Sequence, residues 1–120
     1  MSYTVDEYRR EVSDKKILVV GMGRSGMAAV KKLHALGSTV TAQDINTVEK
    51  IDPKFITFLD REGIEYYFGS TPEHMGSFDI VVLSPGVNPD LAFLNDGRNH
   101  GVEVIGELEM AYRLSYGKFV

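Results

Sequence analysis

The chain has 120 residues, enough for one domain with a real core and few for a complete two-substrate enzyme. A net charge of −4 argues against a nucleic-acid binder, which presents a basic face, but not against a phosphate held by backbone amides. The absence of cysteine excludes disulfides, thiolate metal sites and a cysteine nucleophile and fits a cytosolic location; no stretch is long and apolar enough to span a membrane, and no signal-peptide core is found at the N-terminus.

Residues 1–14 are polar, with Val5, Tyr8 and Val12 at helical spacing; a short amphipathic helix and a mobile tail both fit them. Residues 17–20 (Ile-Leu-Val-Val) form an unbroken apolar run, the pattern of a strand buried on both faces of a parallel sheet. Gly21-Met22-Gly23-Arg24-Ser25-Gly26 follows at once and reads G-x-G-x-x-G. In this motif Gly21 permits the tight turn, Gly23 lets a ligand approach the backbone, and Gly26 lets helix and strand pack closely. A helix is predicted over 25–36, ended by Gly37 in a left-handed conformation, then a second strand over 39–43 with Asp44 at its carboxyl end. Asp52-Pro53 reads as an N-cap and first helical residue; Phe55, Ile56 and Leu59 form the apolar stripe and Gly63 closes the helix.

A third strand is predicted over 64–68, a short helical turn at Thr71-Pro72-Glu73, and a fourth strand over 80–83, followed by Ser84-Pro85-Gly86. Asn88-Pro89 predicts the start of another helix, with Leu91 and Leu94 facing inward and Gly101 at its end. A fifth strand over 102–105 and a helix over 106–114, with Leu108, Met110, Ala111 and Leu114 as apolar positions, complete the pattern; residues 118–120 read as the start of another strand. This alternation predicts an α/β, Rossmann-like parallel five-stranded sheet with helices on both faces. The ligand then lies at the carboxyl ends of the strands, where loops 21–26, 44–46 and 84–87 meet.

Each candidate residue has a plainer alternative. Ser25 is either a phosphate donor or an ordinary N-cap, and Arg24 either covers a diphosphate or is solvated. Asp44 stands where a dinucleotide enzyme places the acid that accepts from ribose hydroxyls, and equally where a strand gives way to a turn. Gly86 can expose its N–H to a ligand, or Ser84-Pro85-Gly86 is simply a tight turn. His34, His74 and His100 lack metal-ligand spacing, and Glu107 and Glu109 suit a helix N-terminus better than an acid–base pair. No nucleophile with its base and no metal cage is predicted. On chemistry alone the default is a nicotinamide dinucleotide domain.

Lys16–Gly26 (KILVVGMGRSG), Phe78–Val87 (FDIVVLSPGV) and Gly101–Arg113 (GVEVIGELEMAYR) together resemble the N-terminal domain of the MurD family of Mur ligases, from about residue 15 to the end of the chain. The resemblance implies the UDP-binding first domain of a three-domain, ATP-dependent, amide-forming ligase of peptidoglycan synthesis, which adds D-glutamate to UDP-N-acetylmuramoyl-L-alanine. In the family the substrate carboxylate is phosphorylated to an acyl phosphate and the amine of D-glutamate attacks it, giving an amide, ADP and phosphate. Carried over by position, Gly23, Arg24, Ser25 and Gly26 match the loop at the substrate diphosphate, Asp44 matches the acid at the uracil, and Ile45 and Asn46 fill the next two positions. There the family often carries Thr and Arg, so Ile45 and Asn46 are expected to act through backbone groups; Ser84, Pro85 and Gly86 match the substrate loop after the fourth strand.

The family's G-x-x-G-K-[ST] phosphate loop does not occur in this chain. Residues 118–120 are therefore expected to open a missing central domain, ATP and magnesium belong to the full-length enzyme, and this piece is expected to be inactive alone. Composition and charge set the further expectation of a cytoplasmic protein with no nucleic-acid or membrane partner, and a monomer is expected. Two other readings stay open here: an NAD(P)- or nucleotide-sensing Rossmann module, and a Rossmann domain kept as an interaction surface.

Overall fold

The computed structural model describes residues 4–117; the predicted strand start at 118–120 lies outside them. Five strands, β1 (Lys16–Val20), β2 (Thr39–Asp44), β3 (Glu65–Phe68), β4 (Ile80–Leu83) and β5 (Glu103–Gly106), form one parallel sheet in the order β3-β2-β1-β4-β5. β1 and β4 are the most apolar strands because both of their faces are covered: Ile17, Val19 and Val82 enter one core, and Leu18, Val20 and Val81 the other.

One face is covered by α1 (Val5–Ser13), α2 (Arg24–Ala35), α3 (Pro53–Glu62) and α5 (Glu107–Tyr116). Ile17, Val19, Ala42 and Val82 meet Val12, Val30, Leu33, Phe55, Leu59 and Met110 there. The alternate residues Leu18, Val20 and Val81 point the other way, onto Met75, Phe78, Leu94 and Val102. That second face is covered by α4 (Ala92–Asn99) and a 3-10 turn at Met75–Ser77. Alternation of side chains along each strand is what assigns every residue to one of the two cores.

The helix ends follow the predicted chemistry in two places. The Asp52 carboxylate accepts from Lys54 N at 2.9 Å with Pro53 at the first helical position, and Gly63 closes α3 at φ +69°. Gly37 takes φ +93° after α2. In two others the structure differs. The helical turn expected at Thr71-Pro72-Glu73 is displaced to Met75–Ser77. The helix expected to open at Asn88-Pro89 opens at Ala92: Asn88 Oδ1 accepts from Asp90 N at 2.9 Å, but the bond closes only an isolated turn at residues 89–90, and the helix follows Leu91. Leu91 is consequently exposed beside the strand ends, while Leu94 is fully buried. On α5, Met110 and Leu114 are buried but Leu108 and Ala111 face solvent.

Residues 5–13 form a helix, α1, and it packs on α5. Tyr8 and Val12 are fully buried, worth about 2 kcal/mol each in apolar transfer. Arg9 Nε donates to Leu114 O at 3.2 Å and Ser38 Oγ to Val12 O at 2.8 Å. Beneath Tyr8, Arg113 forks onto Glu103 at 2.9 and 3.2 Å and also meets Glu109; the Glu103 carboxylate holds its guanidinium pKa above the usual arginine value.

Candidate functional site

The chain leaves β1 toward β2 on one side and leaves β4 toward β5 on the other, so a crevice opens between the carboxyl ends of β1 and β4. Three loops are fastened to one another there. Gly21 turns the chain at φ +95° and its N–H donates to Gln43 O at 2.7 Å. Ser84 N donates to Val20 O at 3.0 Å and Ser84 Oγ to Gly21 O at 2.7 Å, joining the loop after β4 to the glycine turn. Gly26 is buried behind them: a Cβ placed on it would lie 1.7 Å from Gly21 O and 2.8 Å from Ser84 Oγ. The third glycine of the motif is therefore required by packing. Gly23 is the opposite case, since a Cβ there would meet nothing within 4 Å.

Asp44 is 9 % exposed at the end of β2, and both of its carboxylate oxygens have backbone donors. Met22 N donates to Oδ2 at 2.6 Å and Asn46 N to Oδ1 at 2.8 Å. The acid thus braces the glycine turn against the loop that carries Ile45 and Asn46. Gln43 Nε2 donates to Ser70 O at 2.9 Å and ties down the loop after β3. After β4, Val87 N donates to Ser84 O at 3.3 Å across Pro85 and Gly86, with Gly86 at φ +88°; proline followed by a positive-φ glycine is the type II turn pattern.

The N-cap of α2 is Gly23, so Ser25 lies inside the first turn and is not the capping residue. Glycine offers no side chain to the first-turn amides, and no acidic residue stands in that turn, whereas α1 and α5 both begin with acids. The first-turn N–H groups and positive dipole end of α2 thus face the crevice with neither a capping side chain nor an acid beside them, an arrangement that can take an external anion.

These loops enclose a cavity of about 840 Å³, within the range of small-molecule sites. Gly23, Ser25, Asp44, Ile45, Asn46, Ser84, Pro85 and Gly86 line it together; Arg24 and Gly26 do not. Arg24 is exposed on the first turn of α2 and Gly26 is behind the cavity wall. The predicted loops 21–26 and 84–87 also bring Met22 and Val87 to the lining, whereas the sequence reading missed Gln43, Thr71, Asn88 and the wall formed by Leu91, Ala92 and Phe93. Gln43 stands next to the predicted Asp44 and was within reach, but Leu91 was expected in the core and reaches the cavity wall only because α4 starts at Ala92. The chain forms no long apolar helix able to cross a membrane and no cluster of three or more metal-ligating side chains among the described residues.

The chain matches the family described as Mur ligase MurD-like, N-terminal domain, over residues 15–106. It is 38 % identical over 113 residues to the UDP-N-acetylmuramoylalanine–D-glutamate ligase of Alkaliphilus metalliredigens, covering 92 % of this chain and 25 % of that protein. The corresponding ligase of Clostridioides difficile is 35 % identical over 105 residues, covering 88 % and 23 %. The chain thus spans about a quarter of the length of these relatives. Among solved structures, the Neisseria UDP-N-acetylmuramate:L-alanyl-gamma-D-glutamyl-meso-diaminopimelate ligase superposes with a TM-score of 0.60 at 23 % identity over 82 % of this chain and 30 % of that one, a likeness of fold. With the family match covering the sheet and all three loops of the crevice, the chain belongs to the MurD-like N-terminal domain family of Mur ligases.

Proposed function

We propose that the crevice binds the UDP end of UDP-N-acetylmuramoyl-L-alanine. The observation that carries this reading is the cavity itself, which unites residues of three separate loops at the mouth of an uncapped helix. The diphosphate lies against the first-turn amides of α2 and the Ser25 hydroxyl, with the Gly23 surface left open for it. Arg24 acts at long range from the rim. The uracil lies toward Asp44, Ile45 and Asn46; because both Asp44 oxygens already accept backbone bonds, Asp44 meets the base through its remaining lone pairs, and Ile45 and Asn46 through backbone groups. Ser84, Pro85 and Gly86 face the sugar side.

In this reading the nucleotide is a handle. Its binding energy is used to place a remote carboxylate for amide formation with D-glutamate in peptidoglycan synthesis. In this reading ATP and magnesium belong to other parts of a full-length ligase, whose G-x-x-G-K-[ST] loop this sequence does not carry. We expect a cytoplasmic, monomeric, UDP-binding domain, and, without that loop, one that releases no ADP when given ATP, substrate and D-glutamate by itself.

A heteronuclear NMR titration with UDP-N-acetylmuramoyl-L-alanine, and in parallel with NAD, tests the proposal. Saturable shifts at residues 23–26, 44–46 and 84–87 with the UDP ligand alone are expected. Shifts at those loops with NAD alone would replace it with the dinucleotide-module reading.

A further inference from the structure

Three of the polar side chains that line the crevice are buried: Gln43 and Asp44 at the end of β2, and Ser84 after β4. Two of them are committed to the protein. The Ser84 hydroxyl donates to Gly21 O, and each Asp44 oxygen already holds a backbone N–H. Gln43 is committed at one end only. Its Nε2 donates to Ser70 O at 2.9 Å. A carbonyl can only accept, so this bond turns the nitrogen toward the loop after β3 and the oxygen away from it. No described residue donates to Gln43 Oε1. That oxygen is not sealed in either: among the described residues, the side-chain atom that is both buried and unpartnered is Glu107 Oε2. Gln43 is 4 % exposed as a whole, and the cavity it lines is the crevice. It is a buried amide clamped by its nitrogen, with an uncommitted acceptor at the ligand cavity.

We propose that Gln43 Oε1 accepts a hydrogen bond from the ribose hydroxyls of the bound nucleotide, so that the crevice selects a ribonucleotide by its diol. The inference rests on the UDP reading of the crevice and deepens it. Strand register places the contact. Gln43 pairs with Val20, and Gly21 N donates to Gln43 O at 2.7 Å, so Gln43 stands beside the glycine turn. Ile45 and Asn46 lie further along the chain. A nucleoside diphosphate laid from the α2 amides toward Ile45 and Asn46 passes Gln43 between its phosphates and its base, at the level of the ribose.

In dinucleotide-binding folds the acid at the end of the second strand takes the ribose hydroxyls. Here Asp44 gives its oxygens to Met22 N and Asn46 N, and the acceptor beside it is left for them. The Gln43 amide is held before the ligand arrives, so no rotamer freedom is lost on binding. A ligand without the hydroxyls displaces water from Oε1 and offers it no donor, which is how a polar site rejects a close analogue.

The test compares UDP with dideoxyuridine diphosphate, which keeps base and diphosphate but lacks both ribose hydroxyls, by heteronuclear NMR titration of this chain. UDP is expected to bind about tenfold more tightly. In Gln43→Met, similar in volume but without the amide, the preference is expected to fall to about twofold or less, with the affinity for the dideoxy nucleotide nearly unchanged. Loosening of the loop after β3 alone would weaken both nucleotides together and keep the preference, and that result would overturn the inference. Equal affinity of the parent chain for the two nucleotides would also overturn it while leaving the UDP reading in place; no saturable shift with UDP at residues 23–26, 44–46 and 84–87 would remove both. If Gln43→Met does not melt cooperatively, the parent chain decides. Its Gln43 side-chain amide resonances are expected to move on saturation with UDP and to stay in place with the dideoxy nucleotide, and equal movement with the two would sink the proposal.

Discussion

Gly26→Ala and Gly23→Ala separate what the glycine motif does for the fold from what it does for a ligand. A Cβ added at Gly26 would sit 1.7 Å from Gly21 O, a backbone atom that cannot rotate aside, and 2.8 Å from Ser84 Oγ. Relief requires opening the turn by about 1.5 Å, which overpacks the region at a cost of about 1–3 kcal/mol. It also breaks the 2.7 Å bond from Ser84 Oγ to Gly21 O, worth about 1 kcal/mol. The expected total is about 3 kcal/mol, a fall in Tm on the order of 10–15 °C for a domain of this size. At Gly23 the added methyl meets nothing within 4 Å and the backbone is already extended, φ −72° and ψ −173°. That variant should lose at most about 1 kcal/mol, the difference between two residues at an N-cap. It should still weaken UDP-ligand binding by about tenfold or more, because the methyl occupies the surface on which the diphosphate rests. Calorimetric melting and the ligand titration measure the two effects separately. Parental melting of Gly26→Ala would refute the packing argument. Parental affinity of Gly23→Ala, with its stability intact, would refute the placement of the diphosphate.

Asp44→Ala removes the acceptor of both Met22 N and Asn46 N; it should cost about 2 kcal/mol in urea unfolding without any ligand present, and an unchanged midpoint would mean that the carboxylate braces nothing. Glu107 Oε2 is buried without a hydrogen-bond partner among the described residues, so Glu107→Met should stabilise the domain by about 1 kcal/mol, and a comparable loss would reveal a partner for it. Burial raises the pKa of the Tyr8 phenol, an effect that the neighbouring Arg113 only partly offsets. A pKa higher in the folded than in the unfolded state gives stability that is complete below about pH 10 and declines as pH rises through the folded value. Tyr8→Phe should therefore flatten the alkaline fall in stability, and an identical pH profile would show that Tyr8 does not contribute to it.

The parallel sheet was legible because its strands are short apolar runs punctuated by glycine and by Asp-Pro, and local chemistry there agrees with the global fold. The misses have local causes. Asn88-Pro89 carries a helix-start signature, but the Asn88 side chain finds Asp90 N two residues on, and the helix begins only at Ala92. That shift turned Leu91 from an expected core residue into part of the crevice wall. Leu108 reads as core by composition, yet the face of α5 that meets the sheet is fixed by Met110 and Leu114. The first fourteen residues could be read either way because Tyr8 and Val12 gain nothing from helix formation until α5, a hundred residues distant in sequence, is in place.

The two side chains that the motif reading most naturally gives to a ligand, Asp44 and Ser84, make their closest bonds to the protein backbone. Asp44 fixes Met22 N, and Ser84 fixes Gly21 O, from opposite sides of the same turn. Gly26 closes that turn from behind, with no space for even a methyl group. The cradle is thus over-determined before any ligand arrives, and its amides need not be ordered on binding. For the proposed UDP handle, this saves binding energy that ordering would otherwise consume. The same bracing extends to the loop after β2, which carries Ile45 and Asn46. With Asp44 setting the path of that loop through Asn46 N, the positions beside it contribute backbone groups whose placement is independent of their own side chains.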